Sequence, residues 1–533
     1  MKKEAIALAA ALVAAVAAEA EPLSGLDWRL PEKWARMEGR TLVVEVPPDA
    51  GRPMVCATAR IDVSRAFREF GVAVIGVRFR ATGVTEPDAR WNGVKVMYSF
   101  VDADGATQYV GLDSLKGTFD WRFDTVRLSA LANPRGIRDG AVTFFLGLQG
   151  CSGRAEFDLD SVELSFEPSG LEPVNQDYVV RYPTWRLADE RLDQFDKSTS
   201  GQVPGGPGVS PVRRPLRGCM LPDRATTEDD IATLAAWGAT LARFQIMRNW
   251  TAVDDCQDLE EYAQWIDSRL DNLESVLRWA GARGMKIVVD LHSPPGGKRQ
   301  RPREMNMLHD DKYADAFVET WRRIAARFAG NGAIYGYDLV NEPAQWGAAR
   351  NSYWELQRRA AEAIREIDPE TPIVVASNMA DSPSAFLYLS PLAMDNVIYQ
   401  IHVYAPGRFT HQGVGGGMER KADGSQYKWP DPEMGWGVDY LRRILEPVRA
   451  FQKKHRARIY VGEFSAIAWA PGADRYLRDC IDLFEEFGWD WTYHAFREWP
   501  AWSVEHEVAG PGRQPVPSAD NPRKRALLDG FKR

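Results

Sequence analysis

Residues 334–343 read Ile334-Tyr335-Gly336-Tyr337-Asp338-Leu339-Val340-Asn341-Glu342-Pro343. The run from Ile334 to Val340 is short and nearly all apolar, and it closes on two polar side chains, Asn341 and Glu342. Such a run suits a strand buried on both faces of a parallel sheet. Similar runs recur on either side, at Leu216 to Met220, Leu241 to Ile246, Ile287 to Leu291, Ile373 to Ala376, Val397 to Val403, Ile459 to Val461 and Trp489 to Phe496. Helical segments alternate with them. Phe317, Trp321, Ile324 and Phe328 recur at the spacing of one buried helix face, and Leu356, Ala360, Ile364 and Ile367 follow a similar pattern. Thr227 with Asp230 can cap a helix that Gly238 ends. Eight strands alternating with helices over residues 215–533 predict a (β/α)8 TIM barrel. An open doubly wound sheet is the competing fold, but no Gly-rich phosphate fingerprint follows the first strand.

The N-terminal third follows another rule. Val74 to Phe79, Val94 to Phe100, Val126 to Leu128 and Val142 to Leu148 are short and rich in β-branched and aromatic residues. Val162, Leu164 and Phe166 alternate with polar partners. Turn signals at Asp102 to Gly105, Asn133-Pro134 and Gly150 to Gly153 separate them. Residues 22–168 are therefore expected to form an all-β sandwich. Residues 169–214, ending in the Ser-, Gly- and Pro-rich stretch from Ser198 to Gly208, read as a linker or wrapping segment. Residues 1–20 read as a signal peptide: Lys2 and Lys3, an apolar run from Ala5 to Ala17, then Ala18-Glu19-Ala20. The protein is thus expected to be exported, to a periplasm or beyond the cell.

The net charge is −8. That balance argues against nucleic acid and anionic membrane surfaces. No stretch after residue 20 is long and apolar enough to insert in a bilayer. The five cysteines show no C-x-x-C and no zinc-like spacing. Cys56 and Cys151 could pair, or both could stay as buried thiols.

Active sites of such barrels sit where the strands end. Those ends carry Arg243, His292, Asn341, Glu342, His402, Tyr404, Glu463 and His494. Three of the chain's 7 histidines fall there. Two carboxylates, on strands 4 and 7, suit glycoside cleavage: one protonates the leaving oxygen, the other attacks the sugar or activates water. Structural readings stand beside this one. Arg243 could pair with an internal carboxylate, His292 and His402 could be satisfied core histidines, and the two glutamates could be surface groups. The histidines could also bind metal, but strand 1 reads Arg217-Gly218-Cys219-Met220 without His-x-His, so no metal is expected.

Asn341-Glu342-Pro343 after one strand, Gly462-Glu463-Phe464 on a later one, and Arg243, His292 and His402-Val403-Tyr404 in order resemble glycoside hydrolase family 5, the large cellulase-type family. The resemblance covers roughly residues 210–505. It implies that Glu342 is the general acid/base and that Glu463 is the nucleophile, kept ionised by Arg243 and Tyr404. Asn341 would bond the sugar 2-hydroxyl, and His292 and His402 would orient the sugar. The family usually ends strand 8 on a Trp platform. Here His494 stands at that place, with Trp499 or Trp502 taking over from the following loop. The long loop from Pro406 to Trp436 would shape the cleft. The N-terminal sandwich loosely resembles carbohydrate-binding and galactose-binding-like jelly rolls. There Trp91, Tyr98, Tyr109 and Trp121 could stack on sugar or pack in the core.

The expectation is a retaining endo-β-1,4-glucanase without cofactor, acting on a β-glycan polysaccharide or oligosaccharide. Mannan, xyloglucan and β-1,3-glucan remain as substrates, transglycosylation as an outcome, and a glycan-binding protein on an inactive barrel as a reading of another class. Oligomeric state is left open.

Overall fold

Two compact units divide the chain, one made of residues 1–172 and 346–348, the other of the remainder. The computed structural model describes residues 20–89, 91–103, 105–112, 115–171, 215–248, 255–299, 304–414, 421 and 424–533. The signal peptide, but for Ala20, and the linker from residue 172 onward lie outside the described residues.

The first unit is a sandwich of two antiparallel sheets. One runs Ala35–Glu38, Thr41–Val46, Gly153–Pro168, Gly71–Val84, Gly117–Ser129, with Glu21–Pro22 added on Gly153–Pro168. The other runs Met54–Asp62, Ala141–Gln149, Gly93–Val101, Thr107–Gly111. Alternate residues of both sheets meet in one core. Leu42, Phe79 and Phe157 come from the first sheet and Ala57, Val96 and Phe144 from the second. The strands read from sequence are all present but longer. Thr41–Val46 and Met54–Asp62 are strands as well, and the Cys, Ala and Thr side chains of the latter give it a weak sequence signal. Tyr98 belongs to the core, its hydroxyl donating to the Arg127 carbonyl at 2.7 Å. Trp91 and Tyr109 are exposed, and Trp121 is half-buried with Arg78 and Arg80 over its ring. All five cysteines are free, so Cys56 and Cys151 do not pair.

The second unit is a closed barrel of eight parallel strands: Arg217–Met220 (β1), Leu241–Gln245 (β2), Lys286–Asp290 (β3), Ile334–Asp338 (β4), Ile373–Ala376 (β5), Val397–Val403 (β6), Arg458–Phe464 (β7) and Asp490–Tyr493 (β8). β1 pairs with β8 through Arg217 and Trp491, which closes the ring. Leu241, Val288, Tyr335, Val374, Ile398 and Tyr460 form an apolar cluster inside it. Further along the strands the buried side chains turn polar: Arg243, Gln245, Asp290, Asp338, Gln400 and Glu463. That change from apolar to polar along β2, β3, β4, β6 and β7 places chemistry at one end of the barrel.

The outer helices follow the predicted faces. Phe317, Trp321, Ile324 and Phe328 are buried on Asp311–Phe328. Leu356, Ala360 and Ile364 are buried on Tyr353–Arg365, which ends before Ile367. Thr227 and Asp230 form a capping box on Glu228–Trp237, and Gly238 closes it at φ +95°. Among the described residues no helix is long and apolar enough to cross a membrane.

Candidate active site

Arg243 projects from β2 into the barrel and is fully buried. A buried guanidinium needs several acceptors, and the ends of three strands, β3, β4 and β7, supply four of them. Nε donates to Asp338 Oδ2 at 2.9 Å, Nη1 to Glu463 Oε1 at 2.8 Å and Nη2 to Asn341 Oδ1 at 2.9 Å. Asp290 Oδ1 lies 3.1 Å from Nη2. Arg243 thus pairs with the internal carboxylates Asp290 and Asp338 and also contacts Glu463.

His292, two residues past Asp290, is held from both sides. Its Nδ1 bonds Asp290 Oδ2 at 2.8 Å, and Asn341 Nδ2 donates to its Nε2 at 3.1 Å. This arrangement fits the tautomer with the proton on Nδ1. Both ring nitrogens are thus engaged with protein, and His292 holds the Asn341 amide.

Glu342 follows Asn341 with φ at +50°, a left-handed backbone that is uncommon away from glycine. Its N–H donates to Asp381 Oδ2 at 3.0 Å, and its Oε1 lies 2.9 Å from His402 Nδ1. Its side chain keeps 17% of its surface exposed, against 7% for Glu463. Glu463, near the end of β7, accepts from Arg243 on Oε1 and from the Tyr404 hydroxyl on Oε2 at 2.8 Å. His402 Nδ1 stands 3.8 Å from that second oxygen. Glu342, His402 and Glu463 each offer an atom such that all three lie within 4.8 Å of one another.

Charge in this pocket is strongly coupled. Burial alone would raise the Glu463 carboxyl, but the cations His402, His494 and Arg243 outweigh it and hold Glu463 well below the usual carboxylate range. Burial would lower His402, yet Glu463, Asp381 and Glu342 push it up to about 9. Asp381, deeply buried and only partly offset by His402, is raised to about 7. The three-atom cluster has the composition of a metal site. However, both Glu463 oxygens and His402 Nδ1 are already engaged within the protein.

His494 directly follows β8 and stands beside Tyr404. Its Nε2 lies 3.2 Å from Glu498 Oε1, and Gln245 Nε2 donates to Glu498 Oε2 at 2.8 Å. Trp502 is buried against Tyr404, His411 and His494, at 6.3, 5.0 and 5.6 Å between ring centroids. Burial and the neighbouring His494 lower His411 to about 4. Trp499 is 43% exposed and meets Trp469 edge-on. The structure thus brings Arg243, His292, Asn341, Glu342, His402, Tyr404 and Glu463 into one network. His494 lies beside Tyr404, and Trp499 stands further out. The loop from Pro406 to Trp436 is described only in part, and Phe409, Tyr427 and Trp429 anchor it in the interior. Asp290, Asp338, Asp381, His411 and Glu498 complete the surroundings and were not assigned roles from sequence. For Asp290 and Asp338 the signal was available, since each closes an apolar strand.

The sequence model of the family described as cellulase (glycosyl hydrolase family 5) matches residues 206–497. Among relatives, endoglucanase C of Acetivibrio thermocellus is 26% identical over 321 residues, covering 55% of this chain and 89% of its own. Endoglucanase C307 of Clostridium sp. gives the same figures. Cellodextrinase A of Ruminococcus flavefaciens is 26% identical over 280 residues, covering 52% of this chain and 80% of its own. The family match takes in more than half of the 533 residues, so the chain belongs to glycosyl hydrolase family 5, the cellulase family, and is a glycoside hydrolase.

Proposed function

We propose that the protein is a retaining β-glycanase that works by double displacement, with Glu463 as nucleophile and Glu342 as general acid/base. The close approach of the two carboxylates carries this reading: one oxygen of each lies within 4.8 Å of the other and of a His402 ring nitrogen. A retaining pair stands about 5–5.5 Å apart, whereas an inverting pair needs about 6.5–9.5 Å to admit water between. In the first step a Glu463 oxygen attacks the anomeric carbon while Glu342 gives its proton to the departing oxygen. In the second, Glu342 takes a proton from water, whose oxygen attacks the same carbon and frees Glu463. Arg243 and the Tyr404 hydroxyl favour the ionised nucleophile. Asn341, oriented by His292, presents its amide beside the nucleophile for the sugar 2-hydroxyl. Trp499 offers an exposed face for a further sugar ring.

The leading substrate is β-1,4-glucan, cut internally, in keeping with relatives named endoglucanase and cellodextrinase. Residues 1–20 would direct export, so that the enzyme meets the polymer outside the cytoplasm. Reducing-sugar release on soluble β-1,4-glucan, β-mannan, xyloglucan and β-1,3-glucan tests the proposal. Wild type is expected to cleave at least one, and Glu463→Ala to lose activity on the order of 10⁴-fold, because the covalent route disappears. Undiminished activity in Glu463→Ala would remove Glu463 from the mechanism. A folded wild type inert on every glycan would favour the binding-protein reading.

A further inference from the structure

The loop after β5 grips the segment that carries Glu342. Asp381 Oδ2 accepts the Glu342 N–H at 3.0 Å, and Asp381 Oδ1 accepts the Ser377 N–H at 2.9 Å. Ala380 N–H donates to the Pro343 carbonyl at 3.0 Å. Asn378 closes the grip from its side: Oδ1 accepts the Gln345 N–H at 2.8 Å, and Nδ2 donates to the Gln345 carbonyl at 3.0 Å. Ser377, Asn378, Asp381 and Gln345 are all fully buried. The grip has a conformational cost on both sides. Glu342 sits at φ +50°, and Met379, Ala380 and Asp381 occupy the left-handed region in succession at +56°, +59° and +56°. Residues other than glycine hold such backbone only where the surroundings over-determine it. Asp381 also faces His402 at the ring nitrogen that Glu342 does not bond, with Oδ2 3.8 Å from Nε2, a buried nitrogen with no hydrogen-bond partner among the described residues. One carboxylate therefore touches the backbone of Glu342 directly and confronts the ring that bonds its side chain.

We propose that Asp381 is a positioning residue for Glu342: it fixes the backbone from which the acid/base projects and backs the His402 ring that orients its carboxyl. This rests on the reading of Glu342 as the acid/base. A tilt of the Glu342 peptide by 1 Å would misdirect proton delivery, an error that can cost about a hundredfold in rate. The other charged and titratable groups around Asp381 are Glu342, His402, Arg243, Asp338 and Tyr353.

The test separates proton delivery from general damage by the leaving group. A 2,4-dinitrophenolate departs without a proton, so kcat/KM on 2,4-dinitrophenyl β-cellobioside reports glycosylation without acid help. On carboxymethylcellulose the same step needs Glu342. Asp381→Ala is expected to lower kcat/KM on the glucan about 100-fold, and on the aryl glycoside by less than about fivefold, within the range of a small packing change. Asp381→Asn keeps the volume but turns an amide toward one of the two N–H donors, and it is expected to show the same selective loss in smaller measure. It decides the matter if the alanine variant does not fold. Equal loss on both substrates, or no loss on either, would overturn the proposal. Glu342→Ala is the control: if it fails to lose the glucan selectively, the functional reading falls instead.

Discussion

At the scale of single residues, His402 sets the charge state of the pocket. Burial opposes its protonation, but three carboxylates raise it from 6.5 to about 9. A group that titrates higher folded than unfolded binds more protons in the native state. Its contribution to stability is then full below about pH 6.5 and is lost as pH rises through about 9. The melting temperature of the wild type is expected to fall by several degrees across that window, and His402→Gln to flatten the slope. Parallel curves for the two proteins would contradict the ion pairing. His402 was legible in the sequence because it lies on a strand end, where the period of the strand points it inward. Asp381 was not, because it lies not at a strand end but in the loop beyond Ile373–Ala376, where no spacing marks a site. Its role comes from two neighbours distant in the chain, Glu342 and His402.

At the scale of elements, β6 and β7 must approach closely for Glu463 to reach His402. Gly462 makes this possible, since a Cβ there would lie 2.4 Å from Gln400 Oε1 and 3.0 Å from His402 Nε2. Gln400 in turn donates to Asp338 Oδ1 at 3.2 Å. Gly462→Ala is therefore expected to push His402 and Gln400 aside and to lower kcat by roughly tenfold or more, with far-UV circular dichroism unchanged. Wild-type turnover in this variant would show that the two strands can part without consequence. Strand identities and helix faces were readable because their periods are local, as the buried stripe from Phe317 to Phe328 illustrates. Element ends were less so. Ile367 fits the helical spacing yet falls beyond Tyr353–Arg365, in a turn where spacing has no meaning.

At the scale of the molecule, the sandwich and the barrel each enclose their own core, and the five cysteines sit as thiols within them. Burial raises every one, Cys56 and Cys256 to about 12 and Cys151, Cys219 and Cys480 above the ordinary thiol value. A thiol reagent at pH 8 is expected to react slowly with the native protein and to titrate five groups once it is unfolded. Fewer than five after unfolding would reveal a disulfide. The sequence by itself determined the two architectures, their order, and the residues that end the barrel strands, because hydrophobic period and strand-end position are properties of short segments. Only the tertiary structure decided the approach of Glu342 to Glu463, the hold of Asp290 and Asn341 on the two ring nitrogens of His292, and the recruitment of Asp381 and Glu498. These depend on through-space distance and on burial, which fix the strength of every charge interaction in the pocket and which no local pattern encodes.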